Sequence, residues 1–155
     1  MLKKWKNKKL LKNEKGLTLV ELLAVIVILA IIAAIAVPAI GNIINKSKDR
    51  AILAEASNIL AGAKIAYIDG ACVDNTCSND ELEDFVDGIA LESGDQVVYD
   101  ESAKEWKITY KRLGDVKLEK FKENIDSNAI TEANLNKNLT KAGDKPETDT
   151  TKPTS

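Results

Sequence analysis

Residues 22–40 read LLAVIVILAIIAAIAVPAI, a run of nineteen residues without charge in which every residue except Pro38 is apolar. As a helix rising 1.5 Å per residue, the run would be roughly 28 Å long, close to the ~30 Å hydrocarbon core of a bilayer. The alternative is a buried core helix, but a chain of 155 residues is too small to surround one. We therefore predict a single membrane span at about residues 17–40.

Lysines crowd the N-terminal side of this run. Residues 1–16 contain seven lysines and one acid, Glu14, for a local charge of +6, whereas the whole chain carries −2 and the remainder therefore −8. The positive-inside rule places such an N-terminus in the cytoplasm and the acidic body outside. An acidic body also argues against nucleic-acid binding, so we predict no nucleic-acid partner.

Helical periodicity continues beyond the span. Small and apolar residues repeat at steps of four and three, as on one face of an amphipathic helix: Ile52, Ala56, Ile59, Ala63 and Ala66. We predict one helix over residues 17–70, ending near Asp69 and Gly70 and about 75–80 Å long, so that its first half leaves the globular part. Pro38 has no backbone N–H and should weaken or kink this helix.

After the long helix, shorter and more polar elements predict a small α+β globular part at residues 71–127. Ser78 and Glu81 have the spacing of a capping box, for a short helix ending at about Val86. Acidic and amide side chains cluster around this helix: Asp74, Asn75, Asn79, Asp80, Glu81, Glu83, Asp84 and Asp87. The glycine-centred calcium loop is absent, so we interpret the cluster as a solvated surface rather than a calcium site.

Two runs rich in β-forming residues, Gln96–Asp100 and residues 105–111, predict a hairpin, and residues 116–121 predict a third strand. Residues 128–155 are predicted to be a weakly structured tail, weakly helical at 128–142 and then disordered, because the end is rich in Thr, Lys, Asp and Pro. The predicted fold class is α+β, a long N-terminal helix whose second half packs on a small antiparallel sheet.

Cys72 and Cys77 flank four residues in the part of the chain predicted to lie outside the membrane. We predict a disulfide between them, worth about 2 kcal/mol for so small a loop. Free thiols are the alternative, and a metal site would need two further ligands, whereas the sequence has no histidine and no second cysteine pair. Nothing else in the sequence indicates catalysis, so we predict no catalytic, cofactor-binding or metal-ligating residues.

One charged residue stands at the entrance of the apolar run. Glu21 directly precedes residue 22, and a carboxylate in a membrane span costs about 2.5–3.5 kcal/mol near the centre and less near the edge. The apolar face around it offers no partner. Glu21 is therefore the residue that most needs a functional explanation.

The sequence around Gly16, KGLTLVEL, resembles the type IV pilin and pseudopilin family, whose precursors carry a short basic leader ending in Gly, the class III signal peptide. The resemblance covers about residues 12–45. It implies cleavage after Gly16 by a prepilin peptidase and methylation of Leu17 as the new N-terminus, where the family favours Phe. It also implies an assembly role for Glu21 and Pro38, which match the family's glutamate and proline at the fifth and twenty-second mature positions.

The resemblance implies a structural subunit and not an enzyme, with no cofactor. The precursor would wait as a single-pass protein in the cytoplasmic membrane, in contact with lipid, and would then join a surface filament. The implied partners are copies of the chain and related pilins, the prepilin peptidase and methyltransferase, and the membrane protein and ATPase of the assembly machine. A pilus is favoured over a type II secretion or competence pseudopilin, on the basis of the predicted disulfide and extended tail.

A physical role for Glu21 follows from the implied cleavage. The new N-terminus at Leu17 carries an ammonium group that is costly to bury, and the carboxylate of a neighbouring subunit can neutralise it. At 4 Å and an effective dielectric constant near 20, the Coulomb attraction is about 4 kcal/mol before desolvation is subtracted. Such a pair could set the axial register of the subunits.

Two other interpretations of the N-terminus use the same residues differently. An ordinary secretory signal would be cut after the A-x-A sequence of residues 34–36, which leaves Glu21 unexplained. A membrane-anchored surface protein that never polymerises would keep residues 1–16 and would need some other use for Glu21.

Overall fold

The computed structural model describes residues 6–143, with side chains from Thr18 onward. The side chains of the predicted leader, residues 1–16, and all of the predicted disordered tail except Gly143, that is residues 144–155, lie outside what is described. The chain divides into two compact units, Met1–Ile43 and Ile44–Ser155.

The first unit is the N-terminal part of one long helix, α1 (Lys6–Ile68). Its large apolar side chains between Leu19 and Ile43 are all 47–71% exposed. By length and composition α1 can cross a membrane, and none of its most apolar stretch is buried within the protein. An exposed apolar helix of this kind agrees with the span predicted from the sequence.

In the second unit α1 presents its predicted stripe to the core. The five stripe residues are at most 3% exposed: Ile52, Ala56, Ile59, Ala63 and Ala66. The helix also ends where predicted. Ala71 N–H donates to the Ala66 carbonyl oxygen (2.9 Å) and Gly70 N–H to that of Tyr67 (3.2 Å), with Gly70 at φ +77°. This is a Schellman cap, in which glycine takes the left-handed position without strain.

The rest of the second unit is a small sheet with short helices. In chain order the elements are β1 (Thr76–Ser78), α2 (Asn79–Leu82), β2 (Gln96–Asp100), β3 (Glu105–Thr109), a 3-10 helix (Lys111–Asp115), α3 (Glu119–Lys122), β4 (Ala129–Thr131) and α4 (Glu132–Gly143). The four strands form an antiparallel sheet in the order β1-β2-β3-β4. The long helix packed on a small antiparallel sheet confirms the predicted fold class.

The predicted hairpin is present, and Tyr99 pairs with Trp106 across it. The predicted third strand at residues 116–121 is wrong. The backbone N–H groups of Lys117 and Leu118 donate to the Asp49 carboxylate on α1 instead of to a neighbouring strand, and α3 follows directly. Because these donors are satisfied by a side chain, the segment has no need of a sheet partner. The position beside β3 is taken by β4.

The C-terminal residues up to Gly143 contain the predicted helix, as α4, but they also form β4 and pack into the core, which differs from the predicted weakly structured tail. Ile130, Leu135 and Ala142 are buried in the core. Asn138 is fully buried, and its amide donates to the carbonyl oxygens of Phe121 and Glu123, both at 2.9 Å. These two hydrogen bonds hold α4 against α3. They explain why Asn138 is buried, although a polar residue is expected at the surface from the sequence pattern.

The short helix α2 has the predicted start and a different end. The Ser78 backbone N–H donates to the Glu81 carboxylate at 2.7 Å, which is one half of a capping box. The helix ends at Leu82 rather than near Val86. The segment that follows it passes against α1 at Gly62.

Gly62 allows this close approach. A Cβ at Gly62 would lie 2.6 Å from Cγ2 of Val86 and 2.7 Å from the carbonyl oxygen of Phe85. An exposed helical glycine normally gains about 1 kcal/mol of stability on change to alanine. We expect Gly62→Ala to act in the opposite direction and to destabilise the second unit by roughly 1–3 kcal/mol, because backbone must move to admit the methyl group.

Chemical denaturation of the full chain in detergent, followed by near-ultraviolet circular dichroism of its aromatic residues, measures this effect. Gly41→Ala is the matched control, since a Cβ there would meet nothing within 4 Å. Equal stability of the two variants would contradict the close packing of Gly62 against Phe85 and Val86.

Candidate processing and assembly site

The predicted cleavage and assembly residues all lie on α1. Gly16 and Leu17 are part of its helical backbone, and the structure does not describe their side chains. Glu21 follows Leu17 by four residues, so the two positions share one face of the helix. The site is therefore a continuous helical segment and not a pocket assembled from distant parts of the chain.

Glu21 lies in apolar surroundings. It is exposed, and its neighbours Val20 and Leu22 are 65% and 62% exposed. Four ion pairs join side chains that the structure describes, and Glu21 takes part in none of them. Once this surface is covered by lipid or protein, the carboxylate needs a cationic partner, and no described side chain supplies one.

Pro38 lies inside α1, which continues on both sides of it. Its ring removes the N–H group that would otherwise donate to the carbonyl oxygen of Ala34. Helices bend most readily at such a missing hydrogen bond. Pro38 therefore marks a point within the apolar stretch where bending or local unwinding costs less than elsewhere.

The predicted disulfide between Cys72 and Cys77 is present, with the two Cα atoms 4.5 Å apart. Cys77 is fully buried in β1, so the bond fixes the turn after α1 to the sheet. Between the cysteines, Asp74 and Asn75 have φ of +46° and +65°. The bond therefore closes a tight loop in which two residues other than glycine occupy the left-handed region.

The closed loop is joined to an aromatic cluster made of Tyr67, Tyr99 and Trp106, whose ring centroids lie 4.8–5.8 Å apart. The Tyr67 hydroxyl donates to Oδ1 of Asn75 at 3.1 Å, and Nδ2 of Asn75 donates to Glu101 at 2.9 Å. These contacts place the aromatic residues in packing between α1 and the hairpin.

Cys72→Ser should remove the loop closure and destabilise the second unit by about 2 kcal/mol, without preventing membrane insertion. Non-reducing peptide mapping should show the Cys72–Cys77 link in the parent protein, and denaturation should show the loss of stability. A reductant should destabilise the parent and leave the variant unchanged. Recovery of both cysteines as free thiols from folded surface protein would contradict the prediction.

The acidic residues near α2 remain mostly at the surface. Asp74, Asp80, Glu83, Asp84 and Asp87 are exposed, while Glu81 is used to cap the helix. Within residues 18–143 the structure brings no three His, Cys, Asp or Glu side chains into positions that could hold a metal ion. Capping and hydration account for these carboxylates.

A second cluster, which is not predicted from the sequence, surrounds the buried carboxylate of Asp49. This side chain is 1% exposed and accepts hydrogen bonds from the backbone N–H groups of Lys117 (3.1 Å) and Leu118 (2.8 Å). Beside it is an open cleft of about 690 Å³, lined in part by Lys48, Arg112, Lys117 and Lys122. The only hint in the sequence is the group of basic residues directly after the apolar run.

Arg112 is already paired at the edge of this cleft. Its guanidinium contacts the Glu55 carboxylate at 2.5 Å, and the same carboxylate accepts a hydrogen bond from Tyr110 at 2.9 Å. Burial, together with the hydrogen bond to Glu55, raises the pKa of Tyr110 to about 12. Tyr110, Arg112 and Glu55 thus hold the start of the 3-10 helix against α1. Because Arg112 is paired, the unpaired cations of the cleft are its lysines.

The N-terminal segment matches a family model, the prokaryotic N-terminal methylation motif, over residues 11–37. The match contains Gly16, Leu17 and Glu21 and ends one residue before Pro38. No match to the chain was found among curated proteins or among solved structures. The chain therefore carries, at residues 11–37, the class III signal peptide motif that is the hallmark of the type IV pilin-like prepilins.

Proposed function

We propose that this chain is the precursor of a structural subunit of a type IV pilus-like surface filament, cleaved after Gly16 and polymerised through its N-terminal helix. The main support is that the methylation motif at residues 11–37 lies on a helix whose apolar side chains are exposed. An apolar surface of this extent requires burial in lipid or in other subunits. A membrane-stored precursor and a filament supply these two environments in turn.

Glu21 favours the filament over the membrane in this scheme. In lipid the carboxylate is a cost, up to about 2.5–3.5 kcal/mol at the bilayer centre. In a filament it can neutralise the N-terminal ammonium of Leu17 on a neighbouring subunit, with a Coulomb attraction of about 4 kcal/mol before desolvation. Glu21 would therefore make the precursor less stable in the membrane, promote its extraction into the filament and fix the register between subunits.

The motif implies processing by a prepilin peptidase. We further propose where the chain is located and which other proteins it contacts. The lysine-rich leader keeps the N-terminus in the cytoplasm, where the peptidase would cut after Gly16 and methylate Leu17. An assembly membrane protein driven by an ATPase would then move the subunit, with related pilins, into a filament outside the cell. The chain is a substrate of these enzymes and has a structural role.

A pilus is favoured over a pseudopilin of a type II secretion or competence system. The disulfide between Cys72 and Cys77 supports this choice, because such a bond suits a fibre that stays in oxidising surroundings. The methylation motif itself is compatible with both kinds of filament.

Analysis of the N-terminus tests the proposal. Protein isolated from its native membrane should begin at Leu17, with or without a methyl group, by intact mass and N-terminal sequencing. Material sheared from the cell surface should contain the same processed chain in fibres visible by electron microscopy. A native N-terminus at Met1 or Val37 would contradict the proposal, since those ends correspond to an uncleaved anchor and to an ordinary secretory signal.

A further inference from the structure

Charge is distributed unevenly over the second unit. Residues 44–55 and 108–122 together carry eight Lys or Arg against four Asp or Glu, although the chain as a whole is acidic. The Asp49 carboxylate joins the two segments by accepting hydrogen bonds from the backbone of Lys117 and Leu118. The fold therefore concentrates a local positive charge around the Asp49 cleft of an otherwise acidic protein.

The cleft gathers lysines from three separate segments. Lys48 comes from α1, Lys117 from the loop before α3, and Lys122 from the end of α3. All three are exposed, and none takes part in an ion pair among the described side chains. Asp115 and Asp49 also line the cleft, but the Asp49 carboxylate already accepts backbone hydrogen bonds. Three free ammonium groups around one cleft suit a phosphate, which lysine binds as a point charge.

The position of the cleft in the chain indicates where such a phosphate would come from. The apolar stretch ends at Ile40, two more exposed isoleucines follow at Ile43 and Ile44, and Lys48 lies four residues after Ile44 in the same helix, about 6 Å further along the axis. When the apolar stretch is in a bilayer, its end reaches the headgroup layer. Lys48, on the same helix just beyond this end, would then lie close to the lipid phosphates.

We propose that the cleft lined by Lys48, Lys117 and Lys122 binds the phosphate headgroup of an anionic phospholipid while the precursor is stored in the membrane. The cleft volume of about 690 Å³ is within the ~300–1,000 Å³ typical of small-molecule sites. Ala51 and Ile52 supply an apolar wall for the glycerol part of the lipid. The proposal requires a membrane-anchored chain and is independent of whether that chain polymerises.

Lipid titration of the full chain tests the site. The chain is held in a neutral detergent, phosphatidylglycerol is added, and the bound lipid is counted by native mass spectrometry. The triple variant Lys48→Gln/Lys117→Gln/Lys122→Gln should bind phosphatidylglycerol about tenfold more weakly or worse, because each basic group near an anionic surface contributes on the order of a factor of five. Phosphatidylcholine should bind the parent and the variant equally.

A matched control removes the same charge elsewhere. Lys104, Lys107 and Lys137 are exposed, lie outside the cleft and take part in none of the described ion pairs. The variant Lys104→Gln/Lys107→Gln/Lys137→Gln should change the affinity for phosphatidylglycerol by less than about twofold. An equal loss in the two triple variants would show that net charge alone attracts the lipid, and the site would be rejected.

Two further measurements use the unmodified chain. Phosphatidylglycerol with a photoactivatable headgroup should label residues 48–52 or 111–122, and labelling confined to other segments would overturn the proposal. Inorganic phosphate at the same concentration should not displace the lipid, and equal competition would make this a free-anion site instead. If the cleft variant keeps its lipid affinity but loses association with a second copy of the chain, the cleft is a protein interface and the lipid assignment is wrong.

Discussion

Glu21→Ala should be inserted and cleaved normally and should nevertheless assemble little or no filament. Removing the carboxylate makes the apolar stretch a better membrane span, so storage should be unchanged or slightly improved. In the filament, the ammonium group of Leu17 would be buried without a partner, a penalty of about 3–5 kcal/mol for each subunit. The amount of sheared fibre, measured by immunoblot and electron microscopy, should fall by at least tenfold.

Three comparison variants make this result specific. Glu21→Asp keeps the charge with a shorter reach and should assemble to an intermediate level. Glu83→Ala removes a carboxylate from the exposed surface near α2 and should assemble like the parent. Gly16→Val should block cleavage, so it provides the unprocessed precursor as a reference in the same assay. If Glu21→Ala is cleaved, inserted and assembled as well as the parent, the charge-pair mechanism is wrong.

The candidate site could be predicted from the sequence because its parts are neighbours in the chain. Gly16, Leu17 and Glu21 fall within six residues, and the apolar stretch follows at once. The second half of α1 was predictable for a similar reason, since a helical stripe is a local pattern of period 3.6. The hairpin of Gln96–Asp100 with Glu105–Thr109 also joins segments that are close in sequence.

Contacts between distant segments could not be predicted. The alternation of Val116 and Leu118 with charged residues is typical of a strand, but the Asp49 carboxylate binds that segment from 68 residues away. Strands β1 and β4 have three residues each, too few for a pattern to stand out. The lysines of the cleft come from three segments, so only the folded chain reveals them as one group.

Asp49→Ala should be among the most destabilising single changes in the second unit. It leaves the backbone N–H groups of Lys117 and Leu118 without their acceptor, at a cost of about 1–3 kcal/mol for each buried donor. Because the adjacent cleft is open, water can replace part of that bonding, and we expect a total loss of about 2–4 kcal/mol. Asp49→Asn retains one acceptor oxygen and should lie between the parent and the alanine variant.

The measurement is chemical denaturation of the full chain in detergent, followed by the near-ultraviolet circular dichroism of the aromatic cluster. Asp115→Ala is the matched control, because Asp115 lines the same cleft, is exposed and should cost less than about 0.5 kcal/mol. Losing the Asp49 carboxylate should also release Lys117 from its place in the cleft and weaken phosphatidylglycerol binding, whereas losing Asp115 should not. If the two alanine variants are equally stable, the Asp49 carboxylate does not hold the loop before α3, and some other contact must determine the shape of the cleft.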